Sequence, residues 1–116
     1  MEEVVQVERK RGVATVRMNR PNRLNSYNPE MGQALLSAVS EASVDPSIRC
    51  VVLTGEGKAF SAGGDVEFMA TFREKGHGKF LDLAILLHAL IASLRKAPKP
   101  VIAAVNGVAA GAGFSM

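Results

Sequence analysis

Two glycine-rich turns carry most of the chemistry this 116-residue sequence offers: Ser61-Ala62-Gly63-Gly64-Asp65 and Gly111-Ala112-Gly113, each just after an apolar, strand-like run. A turn free of bulky side chains that leads into a helix leaves backbone N–H groups unpaired, and such groups can hold a developing negative oxygen. One such turn alone reads most simply as a tight strand-to-helix connection. Two in the same register after two apolar strands read as a pair of donors that can form an oxyanion hole. Other chemistries find less support. Ser115 has no neighbouring histidine to activate it, and neither His77, between glycines, nor His88 has a visible acid partner for a triad. His88, on the edge of an apolar helical face, reads as a hydrogen-bonded core histidine. Gly111-Ala112-Gly113-Phe114-Ser115-Met116 has Met116 where a dinucleotide fingerprint needs its third glycine, and Gly55-Glu56-Gly57-Lys58-Ala59 lacks the Ser or Thr of a phosphate-binding loop. No Cys/His metal cluster is present, so neither a metal nor a tightly bound redox cofactor is expected.

The elements that must position these turns follow from periodicity. Alternation over Val4–Glu8 and Val13–Met18, separated by Arg9-Lys10-Arg11-Gly12, predicts a hairpin with glycine in its turn. Asn28-Pro29-Glu30 supplies an N-cap, a proline at the first helical position and an acid in the first turn. Met31, Leu35, Ala38, Val39 and Ala42 follow at helical spacing, so a helix is expected from Pro29 to about Ser43. Arg49–Thr54 reads as a buried parallel strand containing Cys50 as a small core residue. A short helix over Asp65–Ala70 should turn Val66 and Met69 or Ala70 inward, and Arg73–Gly78 should be a mobile surface loop. Phe80, Leu83, Ala84, Leu87, Leu90, Ile91 and Leu94 predict a further amphipathic helix, stopped by Pro98 and Pro100 before a strand at Val101–Val105. The order is that of one α/β unit without an internal boundary.

Composition narrows the partners. With 47% apolar and 22% charged residues the chain is an ordinary globular one, and 14 basic against 11 acidic residues give a net charge of +3. Five Phe, one Tyr and no Trp leave little for stacking bases, so nucleic acid is discounted. The longest apolar segment, Leu81–Leu94, is broken by Asp82, His88 and Ser93 and is too short to span a bilayer. A single cysteine has no intrachain partner, and the acidic start Met1-Glu2-Glu3 is unlike a secretory signal, so a cytoplasmic location is the expectation.

Several motifs in order carry a resemblance: Asn19-Arg20-Pro21, Asn25, Val51–Gly55 with Lys58–Asp65, and Lys99–Gly107 with Gly111-Ala112-Gly113. Together they resemble the enoyl-CoA hydratase/isomerase (crotonase) superfamily over essentially the whole chain, which would be well under half of a usual member. The resemblance implies a crotonase-like spiral of ββα turns, with residues 1–116 forming the N-terminal part of a single spiral domain and supplying its first turns. It implies an acyl-CoA thioester as substrate, with coenzyme A arriving as part of it. It also implies an enolate held by the N–H groups of Gly64 and Ala112. Substrate contacts would come from Asn22, Arg23 and Leu24, from Ser61, Ala62, Gly63, Asp65 and Val66, and from Gly111. Arg23 could meet a phosphate, and Phe68, Met69 and Phe72 could line the acyl pocket, although their spacing is equally that of core packing. Family members assemble as trimers, often paired into hexamers, so a homo-oligomer is expected of a longer protein. If the polypeptide ends at Met116, unprotected apolar surface is expected instead.

One departure bears on the reaction. The hydratases carry a catalytic glutamate two residues after the last glycine of the second turn, and Ser115 stands there. A serine cannot supply a carboxylate to position or deprotonate water. The resemblance places the family's second acid beyond Met116. Hydratase, isomerase and another enolate-forming branch all remain open at this point, as does a non-catalytic CoA-binding fragment.

Overall fold

The computed structural model describes residues 3–70 and 77–116. The predicted hairpin is formed by β1 (Val5–Lys10) and β2 (Val13–Met18), antiparallel with Lys10 opposite Val13. Its turn is therefore only two residues, Arg11 and Gly12, both at positive φ (53° and 80°), the backbone twist that a two-residue hairpin connection requires. Ala14, Val16 and Met18 of β2 are buried and the residues between them are not, as the alternation predicts.

Helix α1 (Pro29–Val44) begins where its signals place it. The Asn28 side-chain oxygen accepts from the Met31 N–H at 2.9 Å, and Pro29 occupies the first helical position. Its C-terminal carbonyls are satisfied from a distance: Lys99 Nζ donates to the Ala42 and Asp45 carbonyls, both at 2.6 Å. Met31, Leu35, Ala38, Val39 and Ala42 are all buried, packed against the hairpin and against α3 (His77–Lys96).

The main sheet has the order β1-β2-β3-β5, with β3 (Cys50–Gly55) parallel to both β2 and β5 (Val101–Ala103). Only alternate residues of β3 are buried, among them Val51 and Leu53, because the hydrophobic core occupies one face of the sheet. Cys50 is thus half-buried rather than a core residue. A second sheet was not legible in the sequence: β4 (Ala59–Ser61) and β6 (Val108–Ala109) pair in parallel, Ala59 opposite Val108 and Ser61 opposite Ala109. Strands of two or three residues are too short to show a period.

Four further expectations are corrected. β5 stops at Ala103 rather than Val105, and Asn106 takes over the pairing: its Oδ1 accepts from the Gly55 N–H (3.1 Å) while its Nδ2 donates to the Gly57 and Ala59 carbonyls (2.9 and 3.1 Å). In α2 (Val66–Ala70), Val66 and Ala70 are exposed and Phe68 and Met69 are half-buried, because Asp65 fixes the helix start and so its rotation. On α3, Leu83 and Leu90 are buried but His88 is exposed, one step outside the stripe that meets α1. His77 and Gly78, expected in a loop over Arg73–Gly78, belong to this helix; residues 73–76, and Phe72 before them, lie outside the described residues.

Candidate active site

The first glycine-rich turn is held in place by a buried polar network. Asn25, wholly buried and at φ 53°, accepts from the Arg20 N–H through Oδ1 (2.7 Å) and donates through Nδ2 to the Glu56 and Ala59 carbonyls (3.0 and 2.9 Å). Ser61 Oγ donates to the Asn25 carbonyl at 2.8 Å and accepts from the Gly63 N–H at 3.3 Å. The Ala62 N–H donates to the Leu24 carbonyl at 3.0 Å, which brings Asn22, Arg23 and Leu24, in and after a short 3-10 turn (Pro21–Arg23), alongside the glycines.

Next to it, Tyr27 and Gly64 pair as a one-residue parallel bridge. The Tyr27 N–H donates to the Gly63 carbonyl (2.6 Å), and the Asp65 N–H donates to the Tyr27 carbonyl (2.8 Å). Successive N–H groups of an extended segment point to opposite sides, so a bridge that uses Gly63 and Asp65 leaves the Gly64 N–H facing away from Tyr27's backbone.

The second turn is brought up by the small sheet. From β6 the chain continues so that the Ala110 N–H donates to the Ser61 carbonyl (3.0 Å), and α4 (Ala112–Ser115) starts after Gly111. The turns touch glycine to glycine. A Cβ on Gly63, whose φ is 100°, would stand 2.9 Å from the Ala110 carbonyl oxygen, and one on Gly111 would be 3.7 Å from Gly63 Cα. Gly113 packs against Ser61 so closely that a Cβ there would overlap the Ser61 carbonyl. Within α4 the Gly113, Phe114 and Ser115 N–H groups all find carbonyls, whereas Ala112, the first helical residue, has none within reach of its own helix.

Among the described residues, then, neither the Gly64 nor the Ala112 N–H donates to a protein acceptor. Both residues line one cavity of about 210 Å³, whose remaining walls are Tyr27, Met69, Leu83, Ala84 and Leu87. These side chains are apolar except for Tyr27, whose buried hydroxyl has no hydrogen-bond partner among the described residues and whose pKa burial pushes up to about 12. None of the walls is a base at neutral pH. A larger groove of about 500 Å³, between β1 and α1, contains none of the predicted site residues.

The other predicted residues fall around this cavity. Ser61, Ala62, Gly63 and Gly111 are the backbone that shapes the two turns. Asp65 is committed elsewhere: its carboxylate meets the Arg20 guanidinium at 3.0 Å and its Oδ1 accepts from the Phe68 N–H at 3.2 Å, capping α2. Burial works against its ionisation, but the Arg20 bond and the backbone donors outweigh it and hold the carboxyl below its usual range. Arg20 also donates to the Ser26 carbonyl at 2.7 Å. Arg23 pairs with Glu67 across the surface at 2.8 Å; the bond raises the pKa of Arg23 and lowers that of Glu67. Val66 and Asn22 are exposed at the rim of this loop cluster. Ser115 is exposed and donates from Oγ to the Gly111 carbonyl at 3.2 Å. Sequence reasoning missed Tyr27 as a wall of the cavity because nothing in its local pattern marks it; only the bridge to Gly64 places it there.

Comparison with known proteins gives the family. Residues 8–116 match the model of the enoyl-CoA hydratase/isomerase family, and the chain belongs to that family. It is 45% identical over 115 residues to a Thermus thermophilus protein carrying an enoyl-CoA hydratase name, covering 97% of this chain and 45% of that protein. It is 43% identical over 108 residues to the 1,2-epoxyphenylacetyl-CoA isomerase of Escherichia coli, covering 91% of this chain and 41% of the isomerase. The crystal structure of an enoyl-CoA hydratase/carnithine racemase from Magnetospirillum magneticum superposes with a TM-score of 0.89 at 36% identity, covering 98% of this chain and 43% of that one. The fold is therefore that of the crotonases, and the chain spans less than half the length of these relatives.

Proposed function

We propose that this chain is part of an acyl-CoA thioester enzyme that stabilises an enolate between the N–H groups of Gly64 and Ala112. The observation that carries the reading is that these two donors, neither of them bonded to an acceptor among the described residues, belong to residues that line one apolar cavity. Removing a proton from the carbon next to a thioester carbonyl moves charge onto the thioester oxygen. Two preorganised donors at that oxygen lower the barrier, each by about 3 kcal/mol in sites of this kind. The apolar walls lower the local dielectric and so strengthen both hydrogen bonds. Coenzyme A enters as part of the substrate, and Asn22–Leu24 and Ser61–Val66, adjacent through the Ala62–Leu24 bond, are the segments proposed to meet its nucleotide and pantetheine portions.

Ser115 favours an isomerase within this reading. Moving a double bond from C3 to C2 takes a proton from C2 and returns one to C4; no water enters, and one acid–base group suffices. Hydration needs a carboxylate to direct water, and Ser115 is not one. The test is spectrophotometric, on the intact gene product. With 3-enoyl-CoA, growth of the conjugated thioester band is expected. Loss of that band from trans-2-enoyl-CoA would instead mean hydration, and silence on both with acyl-CoA binding retained would mean a different enolate reaction or a binding module.

A further inference from the structure

We infer that Met69 sets how much bulk the acyl group can carry next to its carbonyl, an inference that rests on the reading of the cavity as an acyl-CoA site. The side chain packs against Gly64 itself. A Cβ placed on Gly64 would come 3.1 Å from Met69 Cε and 3.2 Å from Met69 Sδ, and the same thioether walls the cavity that Gly64 and Ala112 line. Its neighbour Phe68 packs against the hydrophobic core, whereas Met69, one residue on and half-buried, forms a wall of the cavity. The opposing walls are supplied by Leu83, Ala84 and Leu87 of α3, a 20-residue helix whose Leu83 is itself in the core. One side of the cavity is thus fixed by core packing.

The other side is not. Met69 sits on the five-residue helix α2, and an unbranched thioether with three rotatable bonds adapts its shape at small cost. The present cavity, about 210 Å³ and open to solvent on one side, has apolar walls and room beside Gly64. It therefore suits a compact apolar acyl group, and the size of residue 69 decides whether such a group can approach Gly64.

Binding tests this without needing turnover. On the intact protein, dissociation constants are measured for butyryl-CoA, phenylacetyl-CoA and free CoA, in the wild type and in Met69→Ala, Met69→Leu and Met69→Phe. Opening the wall should shift the preference toward phenylacetyl-CoA over butyryl-CoA by about tenfold, the scale on which apolar pockets discriminate size. Filling it with Phe should shift the preference the other way, while Leu, of similar volume, keeps the wild-type ratio, and free CoA binds all four proteins alike. A ratio that stays within twofold in both Ala and Phe variants overturns the inference while leaving the site reading intact. Free CoA affinity falling in step with both thioesters also overturns it, because Met69 would then act only through the fold. A folded wild type that binds neither thioester overturns the site reading itself, and this inference with it.

Discussion

Ala112 separates backbone chemistry from side-chain chemistry better than any other residue of the site. Its methyl group contributes little, and its proposed role is its N–H alone. It occupies the first position of α4, where proline is tolerated because no intrahelical bond is lost. Ala112→Pro should therefore leave the unfolding midpoint near that of the wild type while lowering kcat by about 100- to 1,000-fold, the cost of one lost oxyanion donor. Steady-state kinetics beside a denaturation curve checks this, and an unchanged kcat would remove Ala112 from the hole. The glycines around it have different reasons to be glycine. Gly63, at φ 100° and against the Ala110 carbonyl, has no room for a side chain, and Gly113 is pressed on Ser61. Gly64 faces only the flexible end of Met69. These distinctions are invisible in the sequence, where all of them are simply glycines in glycine-rich turns.

At the level of elements, the first turn depends on α2 being anchored, and Asp65 anchors it. The Arg20–Asp65 pair is nearly buried, with side-chain exposures of 15% and 9%, and ties the loop after β2 to the start of α2. Removing one partner of such a pair leaves an uncompensated charge, so Asp65→Asn should cost about 3 kcal/mol of stability at neutral pH. The sign of the pH dependence follows from the direction of the shift. The folded-state pKa of Asp65 lies below its ordinary value, so the pair's contribution is fully present above about pH 4 and is lost as pH falls through the folded value. Urea titrations from pH 7 downward should find the gap between wild type and variant closing in acid. A gap that stays constant would contradict the assignment. Elements of this kind were unevenly legible. α1 and α3 announced themselves by apolar spacing and end signals, and the hairpin by alternation. β4, β6 and the polar staples Asn25 and Asn106 did not, because a strand of two or three residues has no period and a buried asparagine reads like any loop residue.

Across the whole molecule, the two donors 48 positions apart in sequence meet because β4 and β6 pair outside the main sheet, a long-range contact that no local signal encodes. The same arrangement leaves Ile102, Val105, Val108 and Phe114 between 52% and 80% exposed on and after β5. Expressed by itself, the 116-residue polypeptide should therefore self-associate through this face. Light scattering should give a mass well above 12.3 kDa, and a monodisperse monomer would count against it. Among the described residues no helix is long and apolar enough to cross a membrane. By itself the sequence determined the class of fold, the extent of α1, the presence of α3 and of the hairpin, and the two turns whose backbone is free of side-chain bulk, because periodicity, capping residues and glycine act over a few neighbouring positions. Only the tertiary structure decided that Gly64 and Ala112 share a cavity, that Tyr27 and Met69 wall it, and that Asp65 and Arg23 are held by Arg20 and Glu67. Those outcomes depend on which distant segments pack together, and packing is a property of the folded whole.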